Sequence, residues 1–254
     1  MKTSPPFTVI YEDENIVAVN KASGISVTGD RWDVARERLD RLVSETVNAQ
    51  IFTVHRIDCE TSGLVVFAKN EETHRSLSLA FEGRNIAKRY LAVVHGRPAW
   101  NETVCDLPLV PNGNKQHMTV IDKYRGKKSF TRFTLLAGAG NYSVLEVLPE
   151  TGRTHQIRVH AAALGCPIAC DSLYTNRRSV LPVFLSAIKK NWRGDPLEEK
   201  PLLARLALHA AEIILPVVNN SCNNQNILSI LAPLPKDIAA LIRQMEKASM
   251  IKFT

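Results

Sequence analysis

The stretch of residues 54–70 constrains the fold more than any other part of this chain. It begins with a dense group of polar side chains, which are His55, Arg56, Asp58, Glu60, Thr61 and Ser62. The apolar run 64–68 follows directly, and this order predicts a buried strand after a turn at Ser62-Gly63. Polar groups so close to a buried strand are costly unless they are paired or used. The stretch therefore indicates either an ordinary ion pair between Arg56 and Asp58 at the end of a strand or a functional site.

The letters of this stretch resemble a known signature. HRIDCETSG, residues 55–63, closely resembles the HRLDxxTSG motif of the RluA-type RNA pseudouridine synthases. Further family motifs are resembled, in the family's order, by VIYEDENIVAVNKASG, KRYLAVVHG and LPETGRTHQIRVHAAALGCPIACDSLY, and a later LHA element by residues 208–210. The chain departs from the family after Lys21, where Ala22 stands in place of the usual Pro, which removes a rigid φ but no functional group. The resemblance covers nearly the whole chain.

The resemblance implies a site, residue by residue. Asp58 corresponds to the catalytic Asp of the family, Arg158 to the Arg that pairs with it, and Tyr90 to the active-site Tyr. Arg56 corresponds to the residue that fills the gap left in the RNA, and Ile157 to an apolar residue that lines the base pocket. Without the resemblance, Tyr90 would be interpreted as a half-buried tyrosine of a strand.

The implied chemistry is an isomerisation. The N1–C1′ bond of uridine breaks, the uracil turns and it rejoins through C5, so all atoms are retained and we expect no cofactor and no metal. Asp58 would either attack C1′ as a nucleophile or remove the 2′ proton to give a glycal, and the sequence leaves both routes open. Tyr90 would stack on the ring and help to take the C5 proton. The target base must be flipped out of its stack to be reached.

Charge and composition fit an RNA partner. The chain has 32 Lys and Arg against 25 Asp and Glu, a net charge of +7, and a pI of about 9.2, which suits a polyanion. A local basic cluster, residues 125–128, is either a solvated turn or a contact for phosphates.

Two other classes of protein are alternatives to an RNA pseudouridine synthase. A glycoside hydrolase needs a second carboxylate, for which Glu60 is a poor candidate, and a non-catalytic RNA-binding module would not need Asp58.

Histidine and cysteine spacing argues against a metal. His155 and His160 are five residues apart, which does not match the i, i+4 spacing of two ligands on one helix face. The cysteines are an odd and scattered set for a disulfide framework: Cys59, Cys105, Cys166, Cys170 and Cys222. The N-terminal stretch has no apolar core of the length expected in a signal peptide, and no later run reaches about 18 apolar residues. We therefore expect a cytoplasmic protein with reduced, mostly buried thiols.

The remaining pattern predicts a single α+β domain over residues 1–254. Strands are expected at 8–11, 16–20, 129–136, 142–148, 213–217 and 227–231, and helices at 33–48, 154–164 and 235–248. Another helix should begin after an N-cap at Asn70, with Leu77, Leu79 and Phe81 on its apolar face. Thr154 is expected near the cap of its helix. Residues 176–205 are irregular, and we expect an insertion there.

For the architecture, the resemblance implies the pseudouridine synthase fold, a mixed and mainly antiparallel sheet with surrounding helices and a basic active-site cleft. Only a few residues precede the first expected strand, so we expect no separate N-terminal RNA-binding domain. We also expect a monomer with no membrane contact. Which RNA and which uridine are modified does not follow from the sequence.

Overall fold

The computed structural model describes residues 5–29, 37–114, 116, 118–175, 181–217 and 226–249. The strands of this part of the chain are β1 Phe7–Glu12, β2 Ile16–Lys21, β3 Phe52–Thr53, β4 Ser62–Ala68, β5 Ala87–His95, β6 Glu102–Cys105, β7 Leu109–Val110, β8 Val120–Ile121, β9 Thr131–Ala139, β10 Tyr142–Pro149, β11 Leu208–Val217 and β12 Asn226–Leu231. Its helices are α1 Leu39–Val47, α2 Glu71–Glu82, α3 Gln156–Ala163 and α4 Lys236–Ser249. The chain forms two compact units, one from Met1–Arg89 with His209–Pro233, the other from Tyr90–Leu208 with Leu234–Thr254.

The first unit is built around β4. All seven residues of β4 are buried, as expected for a strand that is covered on both faces. It pairs antiparallel with β2 and β3 and parallel with β11, while β1 extends the sheet beyond β2 and β12 beyond β11. Apolar side chains of these strands and of α2 form the core, among them Ile16, Leu64, Val66, Leu77 and Ile213.

The expected turn at Ser62-Gly63 is wrong, because both residues belong to β4. The φ of Gly63 is +117°, and a Cβ at this position would lie 2.2 Å from the carbonyl oxygen of Ala210. The glycine therefore permits the close approach of the β11 backbone, which is a use of glycine within a strand and not the mark of a turn.

The second unit holds an antiparallel sheet in the order β5-β10-β9-β6 and a separate two-stranded pair, β7-β8. The strands expected at 129–136 and 142–148 are confirmed as β9 and β10, which form an antiparallel hairpin that pairs from Tyr142–Ala139 to Pro149–Thr131. Helices α3 and α4 pack on β9. Their apolar side chains join a core that includes Phe133, Leu145, Ile157, Leu241 and Met245. Together with the first unit, this confirms an α+β fold with a mixed, mainly antiparallel arrangement of strands.

Helix α2 shows where a simple apolar count fails. Asn70 caps it as expected, with its side-chain oxygen accepting from Thr73 N at 2.8 Å. Leu77 is buried, but Leu79 is 61% exposed, so its predicted place on the apolar face is wrong. Leu77 and Phe81 are four residues apart and share a face, whereas Leu79 is two residues from each of them and points elsewhere.

The other expected helices differ from the structure by a few residues. α1 begins at Leu39, and residues 33–36 of the expected helix lie outside the described part of the chain. α4 begins at Lys236, one residue after Pro235, whose carbonyl accepts the bond from Ala239 N at 2.9 Å. None of the described helices is long and apolar enough to cross a membrane.

Candidate active site

Asp58 opens a turn that leads into β4. Its carbonyl accepts a bond from Thr61 N at 3.1 Å, and its side chain is partly buried. On either side of Ile57, which is 7% exposed, Arg56 lies exposed and Asp58 half-buried. The structure thus brings Arg56 and Asp58 together on a single short segment of the first unit.

The backbone after Asp58 is held by the segment that follows β2. Lys21, which is 1% exposed, donates through Nζ to the carbonyl oxygens of Cys59 and Ile25 at 2.9 Å and of Ala22 at 3.0 Å. Gly24 N also donates to the Cys59 carbonyl at 2.8 Å. A buried ammonium is tolerated only when its donors are satisfied. The three bonds to backbone carbonyls fix the chain next to Asp58.

A second bond joins the same two segments, because Ser23 Oγ donates to the carbonyl of Glu60 at 2.6 Å. Lys21 and Ser23 lie in the motif VIYEDENIVAVNKASG, but they were given no part in the site from the sequence. The signal was available, since a lysine at the end of an apolar strand needs partners nearby.

His55 anchors the other side of the turn to the sheet. Its Nε2 accepts from Val66 N of β4 at 2.9 Å, and its ring stacks on Phe81 at 4.6 Å between centroids. Burial, with a smaller contribution from the charge of Lys88, lowers the pKa of His55 to about 3. A neutral imidazole is required here, because a protonated Nε2 would have no lone pair for the Val66 amide.

The second unit supplies Arg158 and Ile157 from α3. The helix begins at Gln156 after the N-cap His155, whose φ is 52° and whose side chain makes no capping bond to the first turn of the helix. Thr154, which was expected near the cap of this helix, lies one residue before the N-cap His155. Gln156 organises this end instead: its Oε1 accepts from Thr151 Oγ1 at 2.7 Å and Arg153 N at 3.0 Å, and its Nε2 donates to the Phe130 carbonyl at 3.0 Å.

Arg158 is a buried cation with a matched carboxylate. It is 1% exposed, and it donates through Nε to Asp171 Oδ2 at 2.9 Å and through Nη2 to Asp171 Oδ1 at 2.8 Å. Paired bonds of this kind fix the plane of a guanidinium as well as its charge. Asp171 Oδ1 also accepts from Leu173 N at 2.9 Å. Asp171 was not identified from the sequence, although it lies in the motif LPETGRTHQIRVHAAALGCPIACDSLY and a buried Arg requires a carboxylate.

Tyr174 covers the guanidinium. Its ring lies 5.3 Å from Arg158 Cζ, a distance at which a cation is attracted to an aromatic face. Its hydroxyl is 2.8 Å from His155 Nδ1 and accepts from Thr119 N at 3.0 Å. Burial raises the pKa of Tyr174 above its ordinary value, so the phenol stays protonated. Tyr174 was likewise not identified from the sequence.

Tyr90 and Ile157 meet the same apolar core in the second unit. Tyr90 lies on β5 opposite Val147 of β10, is partly buried and packs on the core. Ile157 is a member of that core and 7% exposed. The structure therefore brings Tyr90, Ile157 and Arg158 into one unit, and Arg56 and Asp58 into the other.

His160, in the middle of α3, has structural partners. His160 contacts Thr131 Oγ1 through Nδ1 and the Leu107 carbonyl through Nε2, each at 2.9 Å.

Among the described residues, no group of three or more His, Cys, Asp or Glu side chains is arranged to hold a metal ion. The described cysteines are free thiols, of which all but Cys59 are buried; burial raises the pKa of Cys170 to about 11. Cys222 lies outside the described residues.

Known proteins are similar to this chain in both sequence and fold. The family model described as RNA pseudouridylate synthase matches residues 15–163. The dual-specificity RNA pseudouridine synthase RluA of Vibrio vulnificus is 35% identical over 217 residues, which are 83% of this chain and 78% of that protein. The ribosomal large subunit pseudouridine synthase D of Zymomonas mobilis is 29% identical over 251 residues, 94% of this chain and 73% of that protein.

A solved structure supports the fold alone. The human RNA pseudouridylate synthase domain containing 4 has a TM-score of 0.69 and 23% identity, and the match covers 94% of this chain and 92% of that chain. The family match spans more than half of the present sequence and agrees with the resemblance carried by its motifs. The chain therefore belongs to the RNA pseudouridylate synthase family: it is an RNA pseudouridine synthase, which isomerises uridine in RNA.

Proposed function

We propose that this enzyme uses Asp58 to isomerise specific uridines of structured ribosomal or transfer RNA, without a metal or another cofactor. The observation that carries the proposal is the hold on the backbone next to Asp58, where Lys21 and Gly24 both donate to the Cys59 carbonyl. A partly exposed carboxylate on a turn fixed in this way is preorganised for attack on a bound nucleotide. Attack on C1′ and removal of the 2′ proton are the two routes that the sequence leaves open. Both need the Asp58 carboxylate to be ionised and oriented toward the sugar.

Arg158 is proposed to keep Asp58 ionised and aimed. A guanidinium stays charged at any working pH, and its planar fork of N–H donors is suited to grip and orient a carboxylate. Asp171 and Tyr174 would thus be positioning residues, because they orient Arg158 from behind.

The uracil is proposed to lie against Tyr90 and Ile157, with the flipped base stacked on the Tyr90 ring. Arg56 is exposed, which suits the proposed entry of its side chain into the gap left by the flipped nucleotide. These contacts would line the basic cleft that the family resemblance implies.

The class of RNA is inferred from the relatives. The Vibrio protein is named a dual-specificity RNA pseudouridine synthase and the Zymomonas protein a ribosomal large subunit pseudouridine synthase. The second name supports ribosomal RNA as a substrate, and we keep transfer RNA as the alternative that the family resemblance implies. The net charge of +7 suits either RNA. We further infer a monomer that works as a single catalytic domain in the cytoplasm, where the free thiols would stay reduced.

The proposal is tested by Asp58→Asn. This substitution removes the negative charge while it keeps the size of the side chain, so pseudouridine formation should be abolished. RNA binding should stay within about a few-fold of wild type, because affinity comes from many phosphate contacts and not from one carboxylate. The assay is tritium release from RNA that carries 5-tritiated uridine. Appreciable release by the Asn variant would contradict the role of Asp58.

The absence of a metal is tested separately. Because the isomerisation has no redox step and a carboxylate is enough to start it, activity should survive EDTA treatment and dialysis of the pure enzyme. The measurement is the same tritium release, with a mock-dialysed sample as the control. Activity that is lost on dialysis and restored only by Zn²⁺ or Mg²⁺ would show that the proposal is wrong on this point.

A further inference from the structure

The segment between β8 and β9 presents an aromatic ring among positive charges. We call residues 122–128 the basic loop. Tyr124 is 98% exposed, and Lys123, Arg125, Lys127 and Lys128 are all exposed around it. An aromatic side chain with both faces in water contributes nothing to a core, yet it offers a flat surface on which a base can stack.

The basic loop is held in one conformation by its own residues. Asp122 Oδ1 accepts from Tyr124 N and Arg125 N at 2.9 Å, and Oδ2 accepts from Arg125 Nε at 2.8 Å. Gly126 N donates to the Asp122 carbonyl at 2.9 Å, and a Cβ on Gly126 would lie 2.6 Å from the carbonyl carbon of Pro108. Tight turns of this kind present their side chains with little loss of entropy on binding. Since Arg125 is engaged by Asp122, the lysines are the charges offered outward.

Both ends of the basic loop are tied to the elements that carry Arg158. On the β8 side, Thr119 N donates to the hydroxyl of Tyr174, whose ring covers the guanidinium. On the β9 side, Arg153 Nε donates to the Lys128 carbonyl at 3.4 Å, and Gln156 of α3 donates to the Phe130 carbonyl at 3.0 Å. The loop therefore lies beside the part of the site that α3 supplies, within the same unit.

We propose that the basic loop binds the substrate RNA next to the target nucleotide, with an unpaired base stacked on Tyr124 and neighbouring phosphates on Lys123, Lys127 and Lys128. The inference rests on the proposed function, since it assigns a surface to the same RNA. Single-stranded RNA is held in this way where aromatic rings alternate with cations, because every base has a face to stack and every phosphate a charge to neutralise. A purely solvated loop would have no use for the ring.

The test measures binding of a fluorescein-labelled oligouridylate to the full-length enzyme. Tyr124→Ala should weaken binding about 5-fold or more, as expected for the loss of one stacked base, whereas Tyr124→Trp should bind like wild type. Leu197→Ala is the matched control, because Leu197 is an apolar side chain that is 95% exposed outside the loop. A fully paired RNA duplex should not distinguish wild type from Tyr124→Ala, because its bases are already stacked.

The lysines are tested through salt dependence. Lys127→Gln and Lys128→Gln should each reduce the slope of log K against log salt by about 0.7, the value for one phosphate of a single strand. Tyr124→Ala should leave that slope unchanged, and Lys189→Gln, an exposed lysine elsewhere in the second unit, is the control. Slopes that fall equally for Lys189→Gln would show a diffuse charge effect and overturn the assignment to the loop.

The two proposals fail in different ways. If wild-type enzyme releases no tritium from RNA, the proposed function fails whatever the loop binds. If wild type is active but Tyr124→Ala binds the oligouridylate as tightly as wild type, the loop does not hold RNA. Binding lost equally in the Ala and Trp variants would exclude stacking as the role of the ring.

Discussion

The Asp58 turn and the start of α3 both hold a charged residue of the proposed site, but they do so by different means. The turn is held through its backbone, by Lys21 and Gly24 on the Cys59 carbonyl. Arg158 is held through its side chain, by two bonds to Asp171 and by the ring of Tyr174.

The difference follows from what each group has to do. A carboxylate that reacts with a nucleotide must be accessible to it and must hold one orientation. Fixing the neighbouring backbone limits the positions that the Asp58 side chain can take. A guanidinium that only supplies charge can be buried and paired, provided that the pair satisfies its desolvated donors. A substitution that disturbs the Asp58 turn should therefore mainly lower the reaction rate. A substitution that disturbs Arg158 should lower both the stability of the fold and the rate.

The largest effect is expected from Arg158→Met. It leaves the Asp171 carboxylate buried and uncompensated, so the free energy of unfolding should fall by about 3–5 kcal/mol, and activity should be lost. Urea unfolding and tritium release are the two measurements. The double variant R158M/D171L should recover much of the stability but none of the activity, which separates the structural from the proposed catalytic role.

The control for that experiment is an exposed ion pair of the same unit. Arg132 and Glu102 lie 2.6 Å apart with side chains about half exposed, so Arg132→Met should cost less than about 1 kcal/mol. Wild-type stability in Arg158→Met would show that the Asp171 pair does not hold the helix end, and the contrast between the two regions would be wrong.

A smaller loss of stability is expected from Lys21→Met. The Cys59 carbonyl keeps its bond from Gly24, but the carbonyls of Ala22 and Ile25 lose a donor, which should cost about 1–3 kcal/mol. Because the turn next to Asp58 loosens, kcat should fall by more than KM rises. Steady-state kinetics on RNA and urea unfolding measure the two effects.

Lys69→Met is the matched control, since Lys69 donates to Glu12 Oε1 at 2.8 Å and the Asp13 carbonyl at 2.7 Å, away from the Asp58 turn. It should reduce stability without changing kcat. If Lys21→Met behaves in the same way, the backbone hold does not position Asp58.

The smallest loss of stability is expected at Tyr90, which lies opposite Val147 in the sheet and packs on the apolar core. Tyr90→Phe should keep the ~1–3 kcal/mol of base stacking that Tyr90→Leu loses, so Phe should still bind the flipped uridine. If the hydroxyl helps to remove the C5 proton, Phe should cleave the glycosidic bond and stall before product. Quench-flow analysis of intermediates distinguishes the two variants.

Each result at Tyr90 has a clear consequence. Equal turnover by Phe and wild type would eliminate a role for the hydroxyl. Equal turnover by Leu and wild type would remove Tyr90 from the site altogether.

Local signals in the sequence predicted the elements well where one side chain decides the outcome. The Asn70 cap, the β9–β10 hairpin and the buried run of β4 are examples, since each depends on neighbours in the chain. The errors arose where a distant segment intervenes. Gly63 was assigned to a turn because its partner, the β11 backbone, comes nearly 150 residues later, at Ala210. The part that Gln156 plays at the start of α3 was missed because its bond to the Phe130 carbonyl joins segments 26 residues apart.

The sequence by itself determined the family and named the proposed site residues, Asp58, Tyr90, Arg158, Arg56 and Ile157, because the motifs that carry them are contiguous stretches of letters. Only the tertiary structure decided how those residues are supported. Lys21 reaches Cys59 across 38 positions, and the partner of Arg158 is Asp171, beyond the end of its own helix. The physical reason is that a buried charge takes whichever carbonyl or carboxylate the fold brings within hydrogen-bonding distance, and that choice is made when the segments pack together.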